Sequence, residues 1–378
     1  MKYDNRILSK TLVCEKELCN GCYACESICP YGAISVKDMV QYFYSEIDKE
    51  KCINCGLCFS TCPNHTEGEL KKPTSWYQGW AENEVRSQSS SGGLAYKLSE
   101  AFIESGGYVC ACVFEKGEFI FKIYSEVKLL HEIQGSKYVK SNPKSVYKDI
   151  KDLLTRGEKV LYIALPCQVA AMKAFVGKKI QKNLYTIDLI CHGSPSSKVL
   201  YKFLEDKGID QNKINSISFR NKNSFGIKVD NNDLATYIPD KYTTAFMEGL
   251  CYTENCYTCD FAKQERISDI TLGDSWGSSL FEEVKKGISL LLCMSEKGEE
   301  LVGMIPNILL EVDIVKAVNS NRQLNSPSVK PPKYQKFFEL LLNNKSFSQV
   351  VFQCCYKTCI KQNIKQMLIK IHVLRGDR

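Results

Sequence analysis

Two stretches of the chain, CNGCYACESICP (19 to 30) and CINCGLCFSTCP (52 to 63), place cysteines at the same intervals, 33 residues apart. Each reads Cys-x-x-Cys-x-x-Cys-x-x-x-Cys-Pro. Three thiolates two residues apart wrap one cube of iron and sulfide, while the fourth, followed by proline, is aimed at a second cube. The first set is therefore Cys19, Cys22, Cys25 and Cys62, and the second is Cys52, Cys55, Cys58 and Cys29. Structural zinc sites use paired Cys-x-x-Cys units without an evenly spaced third thiol, so zinc is a poor reading.

This pattern resembles the bacterial two-cluster 4Fe-4S ferredoxin over residues 10 to 65, which implies a small α+β ferredoxin-like domain serving as an electron wire. Cys14 falls outside the pattern and reads as a spare. Four further thiols invite a third cluster. Cys167 ends the run KVLYIALPC, Cys191 ends LYTIDLIC, and Cys256 and Cys259 sit two residues apart in ENCYTCDFA. Cys167 alone could also be a small buried residue or a nucleophile. Pro166 should expose its turn rather than pack it, which speaks against burial, and no acid at useful spacing orients His192, beside Cys191, as a base. The cluster reading is preferred for these two thiols with the Cys-x-x-Cys pair. Cys110, Cys112, Cys251, Cys293, Cys354, Cys355 and Cys359 are assigned to core or surface.

The elements that must position these thiols follow from periodicity. After a polar linker (66 to 75), LAYKLSEAFIESGG places Leu94, Leu98, Ala101 and Phe102 on one helical face and stops at Gly106 and Gly107. YVCACVF, KVLYIALPC and LYTIDLIC are continuous apolar strands, and the last two run directly into helical patterns. That alternation argues for an α/β domain with a mainly parallel sheet, and ISDITLGDSWG and ISLLLCMS continue it. In such sheets ligands bind at the carboxyl ends of the strands, where Cys167 and Cys191 both fall. The region divides into an N-terminal part (76 to 155) and a C-terminal part (156 to 325), with a basic helical tail at 326 to 378.

Clusters move single electrons, and flavin is the usual converter to two-electron chemistry. RSQSSSGGLAYKL offers Ser89, Ser90 and Ser91 as hydroxyls, and Gly92 and Gly93 as close-approach backbone at a helix start, for a pyrophosphate. The ordered set SSSGG, GSKYVKS (135 to 141), LPCQ, CHG (191 to 193), FRNK (219 to 222), CYTC and SDITLGDSWG looks like the family of coenzyme F-420 hydrogenase/dehydrogenase beta subunits over residues 10 to 325. The resemblance implies an FAD-binding α/β domain with a 4Fe-4S cluster that exchanges electrons with a deazaflavin or a related carrier. It implies Ser91, Gly92 and Gly93 near the flavin phosphates, with Ser136, Lys137 and Tyr138 close by, and Arg220, Lys222, Asp274 and Trp276 shaping the pocket. The chain departs from the family's wording at Ala164-Leu165 and Asn221, and lacks the tryptophan expected near Gly226. These departures spare the cluster ligands and bear on the choice of carrier.

The composition restricts the partners. Of the net charge of +7, residues 330 to 378 hold ten basic groups against two acidic ones, whereas 76 to 329 carry 31 of each. Nucleic-acid binding by the body of the protein is thereby disfavoured. Twenty cysteines without a signal-like start indicate a reducing cytoplasm. In the tail, Ile360, Ile364, Met367, Leu368 and Ile371 fall at helical spacing, with Lys357, Lys361 and Lys365 on another face. This helix is expected to pack with one solvated side, the alternative being a site for an acidic partner or a membrane surface. The functional expectation is an iron-sulfur flavoprotein oxidoreductase whose redox partner is ferredoxin, a deazaflavin or NAD(P)H. The alternative is a subunit without flavin that transfers electrons or docks in a larger redox or polysaccharide-biosynthesis system.

Overall fold

The computed structural model describes residues 11–66, 68–222 and 224–373. The first residue of the expected ferredoxin segment and the last five of the basic tail lie outside this range. The cysteine repeats carry two five-residue helices, Ala24–Ile28 and Leu57–Thr61, and an antiparallel hairpin of β1 (Ile34–Asp38) and β2 (Phe43–Ile47). Hairpin and helices close over a small core of Val13, Ile34, Phe43 and Ile47 together with the cysteines.

The larger body is built on an eight-stranded sheet of β3 (Ser75–Gly79), β4 (Tyr108–Glu115), β5 (Glu118–Tyr124), β6 (Val160–Ala164), β7 (Leu184–Leu189), and three later strands. A separate three-stranded antiparallel sheet holds β8 (Ile217–Asn221), β9 (Ser224–Val229) and β10 (Asn232–Asp233). The main sheet is completed by β11 (Ile270–Asp274), β12 (Ser289–Cys293) and β13 (Leu309–Glu311), in the order β13-β3-β12-β11-β7-β6-β4-β5. Its centre, β11-β7-β6-β4, is parallel throughout. Antiparallel pairs flank it, with β5 on one side and β12, β3 and β13 on the other. Because β3 runs with the four central strands, five strands point one way and three the other. Pairing of Asp274 with Ser289 shows that β12 runs antiparallel to β11, since the chain returns beside it after one short helix.

Both sheet faces are covered, which is why β6 is buried at every residue and reads as an unbroken apolar run. On one face helix Leu94–Glu104 packs Leu94, Leu98 and Phe102 against Val109, Ile163 and Ile187. On the other, helices Val146–Thr155 and Pro166–Val176 pack with Tyr162 and, from the first cysteine repeat, Cys22 and Ala24. The cysteine-rich segment thus shares a core with the sheet domain. A third core joins β8 and β9 to the helices of the C-terminal region.

Candidate metal and redox centre

The parallel strands carry their thiols to one edge. Cys167 is the second residue of helix Pro166–Val176, which starts directly after β6, and Cys191 lies two residues beyond β7. Pro166 occupies the first helical turn, where its missing N–H costs nothing. It is buried, as is Cys167, contrary to the expectation that proline would expose this turn. Gly193 permits the chain to turn past Cys191: its φ is 128°, and a Cβ there would come within 2.3 Å of the Tyr252 ring. The single-turn helix Glu254–Thr258 then presents Cys256 and Cys259.

These four thiols, from three separate segments, line one cavity together with Lys140, Ser194, Arg266 and Pro327. The lining chemistry fits a cluster. The backbone N–H of Ser194 donates to Cys256 Sγ at 3.4 Å, and Thr253 Oγ1 stands 3.4 Å from the same sulfur. The Ser194 side chain is buried with its Oγ unpaired, a polar atom available to a sulfide. Among the described residues no three His, Cys, Asp or Glu side chains close round a position for a single metal ion.

Two buried cations border the cavity, and they differ. Arg266 is neutralised by Asp188 at 2.9 Å and donates further to Thr271 and to the carbonyls of Leu189 and Phe261. Lys140 is 5% exposed, and among the described residues no carboxylate forms an ion pair with it. Burial opposes its charge, but the thiolates of Cys256, Cys167, Cys191 and Cys259 outweigh burial and hold its ammonium above the usual lysine range. Within GSKYVKS, nothing in the local sequence marks Lys140 apart from an ordinary solvated lysine.

The repeat cysteines form two unlike sites. Cys19, Cys22, Cys25 and Cys62 are all buried, and Cys22 lies within electrostatic reach of both Cys167 and Lys140. Cys14, the expected spare, is drawn in beside Cys19 and Cys62 and accepts from Asn64 Nδ2 at 3.7 Å. Cys29, Cys52, Cys55 and Cys58 are partly exposed and line a cavity of about 120 Å³, rimmed by Tyr31, Ile53 and Leu57.

The motifs expected beside a flavin also meet. Ser136 N–H donates to Ser90 Oγ at 2.7 Å, joining GSKYVKS to SSSGG. Lys222 Nζ donates to the carbonyls of Arg86, Ser89 and Ser91, so it clamps the serine loop with all three of its protons. Burial, then Arg86 and Arg220, push its ammonium down to about 8. Arg220 forms a bidentate pair with Asp274 at 2.7 and 2.9 Å and lies over the rings of Phe225 and Trp276. Tyr138 stacks on Phe246 at 4.6 Å, and Lys137 Nζ donates to the carbonyls of Ile133 and Gln134. Ser89 and Ser91 donate their hydroxyls to the carbonyls of Val85 and Ile288. Gly92 packs against the sheet, since a Cβ there would come within 2.4 Å of the Gly79 carbonyl. His192, next to Cys191, lies within electrostatic reach of Asp274 and Arg220, which connects the four-thiol cavity to this cluster of motifs.

An α/β domain whose strand ends gather four thiols, fused to a segment with eight more in two registers, is the architecture of an iron-sulfur oxidoreductase subunit. Residues 157–316 match the family described as the C terminus of the coenzyme F420 hydrogenase/dehydrogenase beta subunit, and residues 18–66 match the 4Fe-4S dicluster domain. Among curated relatives, the F subunit of the F(420)H(2) dehydrogenase of Methanosarcina mazei is 22% identical over 293 residues, covering 70% of this chain and 79% of that protein. A chain from the F420-reducing [NiFe] hydrogenase complex of Methanosarcina barkeri aligns with a TM-score of 0.49 at 16% identity, over 71% of this chain and 99% of that one.

Proposed function

We propose that the protein is a three-cluster iron-sulfur flavoprotein that relays electrons between an external carrier and a deazaflavin-type or related acceptor. The observation that carries this reading is the single cavity lined by Cys167, Cys191, Cys256 and Cys259, next to Cys22 of the first repeat. When bound, the clusters supply one-electron relay and FAD supplies conversion to two-electron chemistry. The chain's own contributions can be assigned. Cys29, Cys52, Cys55 and Cys58 hold the outer centre in the ferredoxin-like domain, Cys19, Cys22, Cys25 and Cys62 the inner one, and the four cavity thiols the third. Lys140 places an uncompensated cation beside the third centre, and the Ser194 N–H donates to a ligand sulfur. Arg86 pairs with Glu283 and Arg220 with Asp274, and among the described residues Lys222 forms no ion pair, which leaves a positive surplus against the serine loop that suits a pyrophosphate.

The reading without flavin has one observation in its favour: the hydroxyls of Ser89 and Ser91 and the protons of Lys222 are already committed to carbonyls. One experiment separates the two. Anaerobically purified protein should contain about twelve irons per chain, from four per cluster, together with acid-extractable FAD. Twelve irons without flavin supports the electron-transfer subunit, and about eight irons removes the third centre.

A further inference from the structure

The C-terminal helix Tyr356–Lys370 is set on the protein in an inverted orientation. Its inward face is largely polar. Thr358 Oγ1 donates to Glu248 at 2.8 Å, Gln362 Nε2 to Thr244 Oγ1 at 3.0 Å, and Gln366 Nε2 to the Thr236 carbonyl at 3.2 Å. Cys359 and Ile369 are buried beside them, and Lys241 Nζ contacts Cys359 Sγ at 3.5 Å. Four of the five apolar side chains of the stripe point outward instead: Ile360, Ile364, Met367 and Ile371 are 44, 53, 62 and 54% exposed, while Leu368 is half-buried. An ordinary surface helix does the reverse, turning its apolar stripe to the core. The helix packs with one solvated side, but most of the apolar stripe lies on that solvated side, because hydrogen bonds from the opposite face fix the helix's rotation.

The stripe has a cationic border. With 3.6 residues per turn, Lys357, Lys361 and Lys365 follow one margin of the apolar line, and Lys370 lies on the other. From residue 340 to residue 373 the chain has no Asp or Glu, so no acid interrupts either margin. No helix among the described residues is long and apolar enough to cross a membrane.

We infer that helix Tyr356–Lys370 lies in the surface of an anionic lipid bilayer, with Ile360, Ile364, Met367 and Ile371 in the acyl boundary and the flanking lysines at the headgroups. Charge selects this occupant. A second copy of the helix would set lysine margins against lysine margins, and a protein partner would need acids along both sides of an apolar groove. A bilayer with anionic lipid supplies an apolar interior and a uniformly negative surface together. The inference is independent of the cluster and flavin assignments.

The test is co-sedimentation of the anaerobically purified full chain with phosphatidylcholine vesicles, with and without phosphatidylglycerol. Binding should require phosphatidylglycerol. The triple variant K357Q/K361Q/K365Q should weaken it on the order of a hundredfold, from the usual contribution of each surface lysine. I364Q/M367Q, which alters only exposed side chains, should weaken it at least about tenfold while iron content and circular dichroism stay unchanged. Failure to bind anionic vesicles overturns the inference. So does a wild-type dimer that I364Q/M367Q dissociates, or binding to soluble polyglutamate that equals vesicle binding and ignores I364Q/M367Q, which would indicate an acidic protein partner.

Discussion

The two cysteine repeats have identical spacing and opposite surroundings. Tyr147 Oη donates to the Cys22 carbonyl at 2.8 Å, Ser27 Oγ to the Lys144 carbonyl at 3.5 Å, and Lys144 pairs with Glu26 at 2.5 Å. These bonds seat the first repeat on the sheet domain, where its Cys19, Cys22 and Cys25 are buried. The second repeat leaves Ile53 and Leu57 at 57 and 41% exposure beside its half-buried Cys52, Cys55 and Cys58, with Cys29 of the first repeat joining them and Cys62 buried on the inner side. Spacing thus determines which thiols act together, and packing determines which set reaches solvent. The buried site adjoins the four-thiol cavity, so in the proposed relay the half-buried one is assigned as the port.

The largest expected effect tests that assignment directly. On anaerobic treatment of the oxidised protein with a chelator, the outer site should lose its iron at least about tenfold faster than the inner one, because it opens without breaking the shared core. Iron release followed with EPR of the remaining centres resolves the two. Equal rates would break the comparison. A Cys55→Ser substitution should remove the fast phase and leave the slow one.

Part of this was legible in sequence and part was not, for physical reasons. The repeats were legible because ligand spacing along a chain is local. The meeting of Cys167 with Cys191 was legible because the carboxyl ends of neighbouring parallel strands share an edge. The direction of β12 was not: SLLLC is buried at every residue, and continuous apolarity accompanies any central strand whichever way it runs. Lys140 was not legible either. An isolated lysine normally reads as solvated, and only the tertiary structure shows it buried beside four thiols and lacking the carboxylate that Arg266 has. The outward stripe of the last helix was hidden because periodicity gives a face without saying which way it turns.

Lys140 lines the four-thiol cavity and also acts on Cys22 of the inner site, and it is buried, whereas the lysines that line the outer cavity, Lys49 and Lys51, are exposed to solvent. An adjacent positive charge favours the reduced, more negative form of a cluster. Lys140→Met should therefore lower the reduced-to-oxidised ratio of the third centre at fixed potential by about tenfold, or 59 mV for a one-electron couple. The outer centre should not move. Redox titration followed by EPR measures both in one sample. A uniform shift of all centres would mean that Lys140 acts through the fold rather than through its charge.

The smallest effect concerns the seating itself. Tyr147 is fully buried, and its hydroxyl bridges helix Val146–Thr155 to the backbone of the first repeat. Tyr147→Phe keeps the ring against Phe175 and removes only the donor, leaving the Cys22 carbonyl without that bond. The expected cost is about 1 kcal/mol, the usual net value of one hydrogen bond. Chemical denaturation monitored at the cluster absorbance should show it as a lower midpoint with unchanged slope. The same variant should speed chelation at the inner site and leave the outer one alone, because only the first repeat is held to the sheet domain through this hydroxyl. If both sites accelerate together, the cysteine segment opens as one unit, and the difference in burial between its repeats does not divide it into separately stable halves.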